Sequence, residues 1–229
     1  MSKPFCSICV LSYQRPDFLK RSLDSLINTP SGFPMEILVN DDGSQSETQN
    51  LIYKYLRAGK ISYAIFNGGQ NMGIGKSIHN CFDISSGNYL FKADADLEYT
   101  PGWLKKAVDI LQFSNVGCIG LFDYRHYDPK DERFNIIGRA GKSHYFVDDF
   151  VSSIYGVRRE MYERYGKCLG HDGWHQSIKQ KGYSLAIPQQ DLITNFGFGA
   201  NTSIFVTTDA DGKLTARGYS EKPKIFDSK

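Results

Sequence analysis

The first half of the chain alternates between short apolar runs and segments with helical periodicity, and this alternation constrains the fold more than any other feature. The apolar runs predict strands at 5–11, 36–39, 61–66, 89–91 and 116–121, and the segments between them predict helices at 16–29, 46–58, 75–84 and 103–111. Strands that alternate with helices are typical of a parallel sheet with crossover helices. Ligands of such a sheet bind at the carboxyl ends of the strands, where this chain has Ser12, Asp41, Asp42, Asn67, Asp94 and Asp96.

Beyond residue 121 the pattern changes, and we place a soft boundary there between the halves 1–120 and 121–229. A tyrosine- and charge-rich stretch follows, with short strands predicted near 134–137, 151–155 and 184–187 and helices at 158–165 and 172–181. After Phe205 strong periodicity is lost, so we expect a mobile lid or a frayed end there.

Composition argues against several classes of protein. Of the 229 residues 41% are hydrophobic and 23% are charged, as in ordinary globular proteins. The formal net charge of +2 does not indicate binding to nucleic acid. The apolar runs fall far short of the roughly 20 residues of a membrane helix, so no transmembrane segment is expected. The first residues also lack the layout of a signal peptide.

The five cysteines are an odd number in scattered positions, which does not suggest a disulfide framework. Cys6 and Cys9 are three apart in a predicted strand, so they should point to opposite faces, and no second cysteine pair completes a zinc site. We therefore expect a reducing, cytoplasmic location. Peripheral contact with a membrane surface stays open, and the sequence does not indicate the oligomeric state.

Two acidic clusters follow predicted strands. Asp94-Ala95-Asp96 comes after the run at 89–91, and Asp41-Asp42-Gly43-Ser44 comes after the run at 36–39. Because the chain turns at a strand end, carboxylates placed there can converge on one hard divalent cation and its phosphate ligands. The two clusters therefore predict a site for a nucleoside diphosphate bound through a metal. Asp-Gly is also a common turn dipeptide, so a plain β-turn is the alternative at 42–43.

Two familiar phosphate-binding motifs fit poorly. Gly75-Lys76-Ser77 is similar to the end of a P-loop, but that motif requires a glycine five residues before Gly75, where this chain has Gln70. The turn after the first strand, 12–17, has none of the glycines that let a dinucleotide pyrophosphate approach the backbone. A P-loop NTPase and a dinucleotide-dependent dehydrogenase are therefore disfavoured.

Four motifs in a fixed order resemble those of the inverting family 2 glycosyltransferases, which have the GT-A fold. They are Ser12-Tyr13-Gln14-Arg15-Pro16, Val39-Asn40-Asp41-Asp42-Gly43-Ser44, the run from Asn71 to Asn80, and Ser86-Gly87 leading into Asp94-Ala95-Asp96. The resemblance covers about residues 5–120. It implies a Rossmann-like α/β sandwich with a central, mostly parallel sheet flanked by helices. In that fold 1–120 would bind a nucleotide sugar and 121–229 would form the acceptor-binding half.

The resemblance also implies roles for individual residues. The nucleotide-binding residues would be Ser12, Tyr13, Arg15, Asp41, Asp42, Asn71, Gly73, Lys76 and Asp94. Asp94 and Asp96 would bind a Mn²⁺ or Mg²⁺ ion that bridges the diphosphate. Asp172 would take the proton from the acceptor hydroxyl, and an N-cap role at a helix start fits it nearly as well. A third metal ligand stays open among Asn195, His171 and His175.

The expected activity is metal-dependent, inverting transfer of a sugar from a nucleotide-diphosphate donor to an acceptor hydroxyl. The acceptor would be a glycan, a lipid-linked sugar or another polymer, and a modified nucleic-acid base stays open. An anionic acceptor could be bound by Arg125, Arg139, Arg158 and Arg159. Two alternatives are a nucleotidyltransferase, which releases pyrophosphate, and a module that binds a nucleotide sugar without turnover.

Overall fold

The computed structural model describes residues 6–67, 71–124, 136–148, 153–165, 173–197, 204–208, 214–218 and 224–225. In chain order its elements are β1 (Cys6–Ser12), α1 (Pro16–Asn28), β2 (Met35–Asp41), α2 (Ser46–Arg57), β3 (Tyr63–Phe66), α3 (Gly73–Ile84), β4 (Tyr89–Asp94), β5 (Leu97–Tyr99), α4 (Trp103–Leu111), β6 (Val116–Leu121), β7 (Ile136–Ala140), β8 (His144–Val147), β9 (Ile154–Arg158), α5 (Arg159–Tyr165), α6 (Gly173–Gln180), β10 (Ser184–Pro188), β11 (Ile193–Asn195), β12 (Ile204–Thr208), β13 (Leu214–Gly218) and β14 (Lys224–Ile225).

A nine-stranded sheet in the order β3-β2-β1-β4-β9-β6-β10-β8-β7 organises the molecule. Strands β3, β2, β1 and β4 run parallel, β9 inserts antiparallel between β4 and β6, and β10 is again parallel to β6. The predicted parallel arrangement is thus confirmed for the first half. The carboxyl ends of β1, β2 and β4 lie side by side, because Ser12 is in register with Asp41 and Leu11 with Asp94.

Helices cover both faces of the sheet and enclose two apolar cores. On one face α1, α2 and α4 pack against β-strand residues such as Phe91. On the other face α3, α5 and α6 pack against residues such as Leu90. Burial on both faces explains why β1 and β2 are almost continuously apolar rather than alternating. Cys6 and Cys9 lie in opposite cores, as their spacing predicts.

Several short strands were not predicted. β5 and β11 form a two-stranded antiparallel ladder, and each has only three residues, too few to establish a period of two. β8 joins the large sheet through β10. From Ile204 onward the chain contains β12, β13 and β14 in a three-stranded sheet, although the sequence after Phe205 shows no strong periodicity. In the part of the chain that is described, every helix falls short of the length and apolarity needed to cross a membrane.

The cysteines differ from expectation. Cys9 on β1 and Cys81 on α3 form a disulfide across 72 residues of sequence, so the expectation of no disulfide was wrong. The pairing depends on the packing of α3 against β1, which cysteine spacing does not encode. Cys6 and Cys118 are buried free thiols, and burial raises the pKa of Cys6 to about 12.

Candidate functional site

The turn between β1 and α1 has an unusual backbone. Gln14 and Arg15 both have a positive φ, 56° and 58°, which side chains other than glycine adopt infrequently. Two hydrogen bonds hold the turn against the end of β2: the Gln14 amide donates to Ser44 Oγ at 2.7 Å, and the Gln45 amide donates to Gln14 Oε1 at 3.2 Å. The turn is therefore held against residues 44–45, and the Arg15 side chain reaches Asp96, just after the end of β4.

Asp42 fastens the start of α3 to the end of β2. Its Oδ1 accepts from the Met72 amide at 2.7 Å and from Asn67 Nδ2 at 2.8 Å, and its Oδ2 accepts from the Gly73 amide at 2.9 Å. Free amides at a helix start favour a carboxylate there. Gly73 has φ +82°, a conformation that only glycine adopts freely, so this contact depends on that residue.

Asp41, one residue earlier, is fully buried. Its Oδ2 accepts from the Ser44 amide at 3.0 Å and from Gln49 Nε2 at 3.4 Å. Burial raises the pKa of Asp41, which the hydrogen bonds from Ser44 and Gln49 oppose. Among the described residues Asp41 Oδ1 and Ser12 Oγ have no hydrogen-bond partner although both are buried. Each of these two oxygens therefore keeps an unused capacity to accept a hydrogen bond.

Asp94 ends β4 with a side chain that is 37% exposed. Its Oδ1 lies 2.6 Å from Nζ of Lys92, which is buried in the same strand. Residues two apart in a strand share a face, so the lysine lies next to the carboxylate on the same face of β4. Sequence reasoning missed Lys92; the available signal was a lysine inside an apolar run, two residues before an acid.

Asp96 is more enclosed. Its Oδ2 pairs with Arg15 Nη2 at 3.1 Å, and its Oδ1 is buried without a partner in the described part of the chain. Burial raises the pKa of Asp96, and the neighbouring Asp94 carboxylate raises it further, against the opposing charge of Arg15. A Cβ on Gly197 would meet Asp96 Oδ2 at 2.1 Å, so only glycine fits there.

The loop that follows β11 packs over Asp96. Phe196 donates its amide to the Asp96 carbonyl at 3.1 Å, and its ring lies 5.4 Å from that of Phe18 and 4.1 Å from the guanidinium carbon of Arg21. Asn195, the last residue of β11, has both ends of its side-chain amide bonded: Nδ2 donates to Ser153 Oγ and Oδ1 accepts from the Gly197 amide. Its amide oxygen is therefore already engaged by the backbone.

The other predicted residues are distributed as follows. Tyr13 lies half-buried in the β1–α1 turn, Asn71 Oδ1 accepts from the Gly73 amide at 3.0 Å, and Lys76 is exposed on α3. Asp172, His171 and Arg125 lie outside the described residues, and His175 belongs to α6.

Two of the candidate arginines are used inside the fold. Arg158 donates to the carbonyls of Leu111 and Val116, and Arg159 donates to those of Ser85 and Gly87. These bonds tie helix and strand ends to the sheet. The presence of the two arginines is thus explained without an anionic acceptor. Arg139 is exposed and donates to Gln189 Oε1.

Asp94 and Asp96, called the acid pair below, carry the kind of ligand atoms that a hard divalent cation prefers. Carboxylate oxygens are the ligands that Mn²⁺ and Mg²⁺ prefer, and Asp96 Oδ1 is a buried acceptor without a partner. Within the described ranges no group of three or more acidic, histidine or cysteine side chains is placed to hold a metal. Asp94 and Asp96 are the residues that would hold such an ion.

Comparisons with known proteins concern the family and the fold of the chain. The model of glycosyl transferase family 2 matches residues 7–180. A hyaluronan synthase from Pasteurella multocida is 30% identical over 136 residues, which are 55% of this chain and 13% of that protein. The chain therefore spans only a small part of the length of that relative.

Solved structures share the fold. The mannosyltransferase PcManGT from Pyrobaculum calidifontis, in complex with GDP-Man and Mn²⁺, gives a TM-score of 0.63 at 16% identity, over 82% of this chain and 57% of that one. GalNAc-T7 with UDP, GalNAc and Mn²⁺ gives 0.62 at 16% identity, over 82% and 43%. At these identities the likeness concerns the fold alone, and it confirms the expected GT-A type.

Proposed function

Because the chain belongs to glycosyl transferase family 2, we propose that it transfers a sugar from a nucleotide-diphosphate donor to an acceptor hydroxyl, with inversion at the anomeric carbon and with Mn²⁺ or Mg²⁺. The observation that carries the proposal is the placement of Asp94 and Asp96. They lie beside the ends of β1 and β2, and the cation Arg15 reaches the same point. Carboxylates and a guanidinium at one sheet edge are suited to a metal-bound diphosphate.

The donor side is built from the first half of the chain. Asp94 and Asp96 would hold the metal, which when bound stabilises the negative charge that grows on the leaving diphosphate. Arg15 would contact the phosphates, and the buried oxygens of Asp41 and Ser12 would face the nucleoside. Asp42 would act on the nucleotide indirectly. Its carboxylate holds the start of α3, and Asn71, Gly73 and Lys76 lie at that helix start.

The acceptor side is proposed for residues 121–229, with Asp172 as the base that removes the proton of the attacking hydroxyl. In a single displacement the acceptor oxygen bonds to the anomeric carbon as the bond to the diphosphate oxygen breaks, and the hydroxyl proton passes to that base. We favour a carbohydrate acceptor, and the name of one relative, hyaluronan synthase, supports this choice.

The test measures which product is released. Wild-type protein is incubated with UDP- and GDP-sugars, Mn²⁺ and carbohydrate acceptors, and the released nucleotides are separated by anion-exchange chromatography. We expect release of nucleoside diphosphate with extension of the acceptor, inversion visible in the NMR spectrum of the new linkage, and loss of rate when EDTA removes the metal.

Other products would identify other functions. Pyrophosphate would identify a nucleotidyltransferase, and binding of a nucleotide sugar without release across the whole panel would identify a binding module. In the same assay Asp172→Asn should slow release and leave donor affinity in calorimetry unchanged. A collapse of donor affinity instead would show that Asp172 is not the base.

A further inference from the structure

Lys92 is a buried lysine on β4, a central strand of the sheet, two residues before Asp94. Its side chain is 2% exposed, and Nζ lies 2.6 Å from Asp94 Oδ1. Nζ also donates to the carbonyl of Ser153 at 3.4 Å and lies 5.1 Å from the ring centroid of Tyr155. Replacing a buried ion pair by apolar side chains often stabilises a protein, so stability alone does not explain a lysine here.

The acid pair carries one cation for each carboxylate. Lys92 pairs with Asp94, and Arg15 pairs with Asp96 at 3.1 Å, so the four formal charges cancel. The two cations differ in their freedom to move. Arg15 lies on a turn and its side chain is 23% exposed, so it can leave Asp96 when a ligand arrives. Lys92 is enclosed between β1 and β9 and has no such path.

We propose that Lys92 is a positioning residue that acts as a permanent counter-charge of the acid pair. It engages Asp94 Oδ1, leaves Oδ2 for the ligand, and lowers the negative potential that a diphosphate meets at this edge of the sheet. The inference rests on the proposed function. It follows that free Mn²⁺ binds weakly to the empty site, because the carboxylates are already balanced, and that the metal arrives best together with the nucleotide.

The test compares wild type with Lys92→Met, which removes the charge and keeps an unbranched side chain that is one atom shorter. Binding of Mn²⁺ alone is measured by EPR, and binding of UDP and GDP without metal by calorimetry. We expect Mn²⁺ to bind about tenfold more tightly and the nucleotides about tenfold more weakly, because a unit charge a few ångströms away contributes at least that much near a protein surface. A lysine with only a structural role would weaken both or neither.

The matched control is Lys20→Met. Lys20 pairs with Asp24 at the same distance of 2.6 Å, but on the exposed face of α1, so both affinities should stay unchanged. If Lys92→Met does not fold, Lys92→Gln is measured in the same way. Affinities that are unchanged, or that move in the same direction, would overturn the proposal. If wild type binds neither UDP nor GDP, the proposed function fails, and an unchanged Mn²⁺ affinity in the variant still refutes the role of Lys92.

Discussion

The acidic clusters at the ends of β2 and β4 look alike in the sequence but have different surroundings. Asp42 has both carboxylate oxygens filled by neutral donors, two of them backbone amides of the α3 start. Asp94 and Asp96 are met by cations, Lys92 and Arg15. Asp96 in addition keeps one buried oxygen without a partner within the described residues.

The surroundings indicate different roles: the β2 cluster holds the fold together, and the β4 cluster can exchange its partners for ligands. A backbone amide cannot leave Asp42 unless the start of α3 moves, so this carboxylate is committed to the architecture. The Arg15 guanidinium, on a side chain that is 23% exposed, can leave Asp96 and be replaced by a metal ion, and the freed cation can then meet a phosphate. The β2 cluster should therefore respond to mutation mainly in stability, and the β4 cluster mainly in ligand binding and turnover.

The largest effect is expected for Asp96→Ala. Transfer should fall roughly a thousandfold, because a metal ligand supplies several kcal/mol of charge stabilisation at the leaving group. The melting temperature should change little, because burial and the neighbouring Asp94 disfavour the Asp96 charge, and Arg15, whose side chain is 23% exposed, can turn to solvent once Asp96 is removed. The measurement is the initial rate of nucleoside diphosphate release with and without Mn²⁺, beside a thermal unfolding curve. Full metal-stimulated activity in the variant would refute the metal assignment.

A smaller effect, on stability, is expected for Asp42→Ala. Loss of three hydrogen bonds to a buried carboxylate should lower the free energy of unfolding by about 3 kcal/mol, measured in urea. Hydrogen exchange at the amides of Met72 and Gly73 should accelerate. Asp109→Ala is the control, because its pair with Lys105 is exposed and should contribute at most about 1 kcal/mol. Equal urea midpoints for the two variants would remove the distinction between the clusters.

The sequence predicts those parts of the fold that are written in local periodicity. The bounds of α4 and β6 agree with the structure, because each is a complete amphipathic or apolar run closed by turn residues. β2 and β4 extend beyond the predicted 36–39 and 89–91 and end at Asp41 and Asp94, so the acids expected after these strands form their last residues.

What escaped prediction depends on contacts between distant segments. Arg15 and Asp96 are 81 residues apart, and their pairing follows from the positive φ of the β1–α1 turn, which no local pattern announces in a non-glycine residue. The use of Asp42 by the α3 backbone likewise spans about 30 residues. Lys92 resembled a mere interruption of an apolar run, because the burial of a strand by its neighbours on both sides is decided only when the sheet assembles.

The smallest effect is expected for Asp41, the other acid of the β2 cluster, and it concerns the pH dependence of stability. Its folded pKa lies above the ordinary value of 3.8, mainly because the carboxyl is buried. Between the unfolded and the folded pKa the native state binds more protons, so stability falls as pH rises through that window and stays lower above it.

Asp41→Asn cannot titrate and should lose less stability than wild type between pH 4 and 7. We expect this difference to be smaller than the effect of Asp42→Ala. Urea unfolding at several pH values measures the slope, with Asp109→Asn as control. Parallel stability profiles for wild type and Asp41→Asn would show that the Asp41 carboxyl is solvated in the native state. The proposal that a buried oxygen of Asp41 faces the nucleoside would then be wrong.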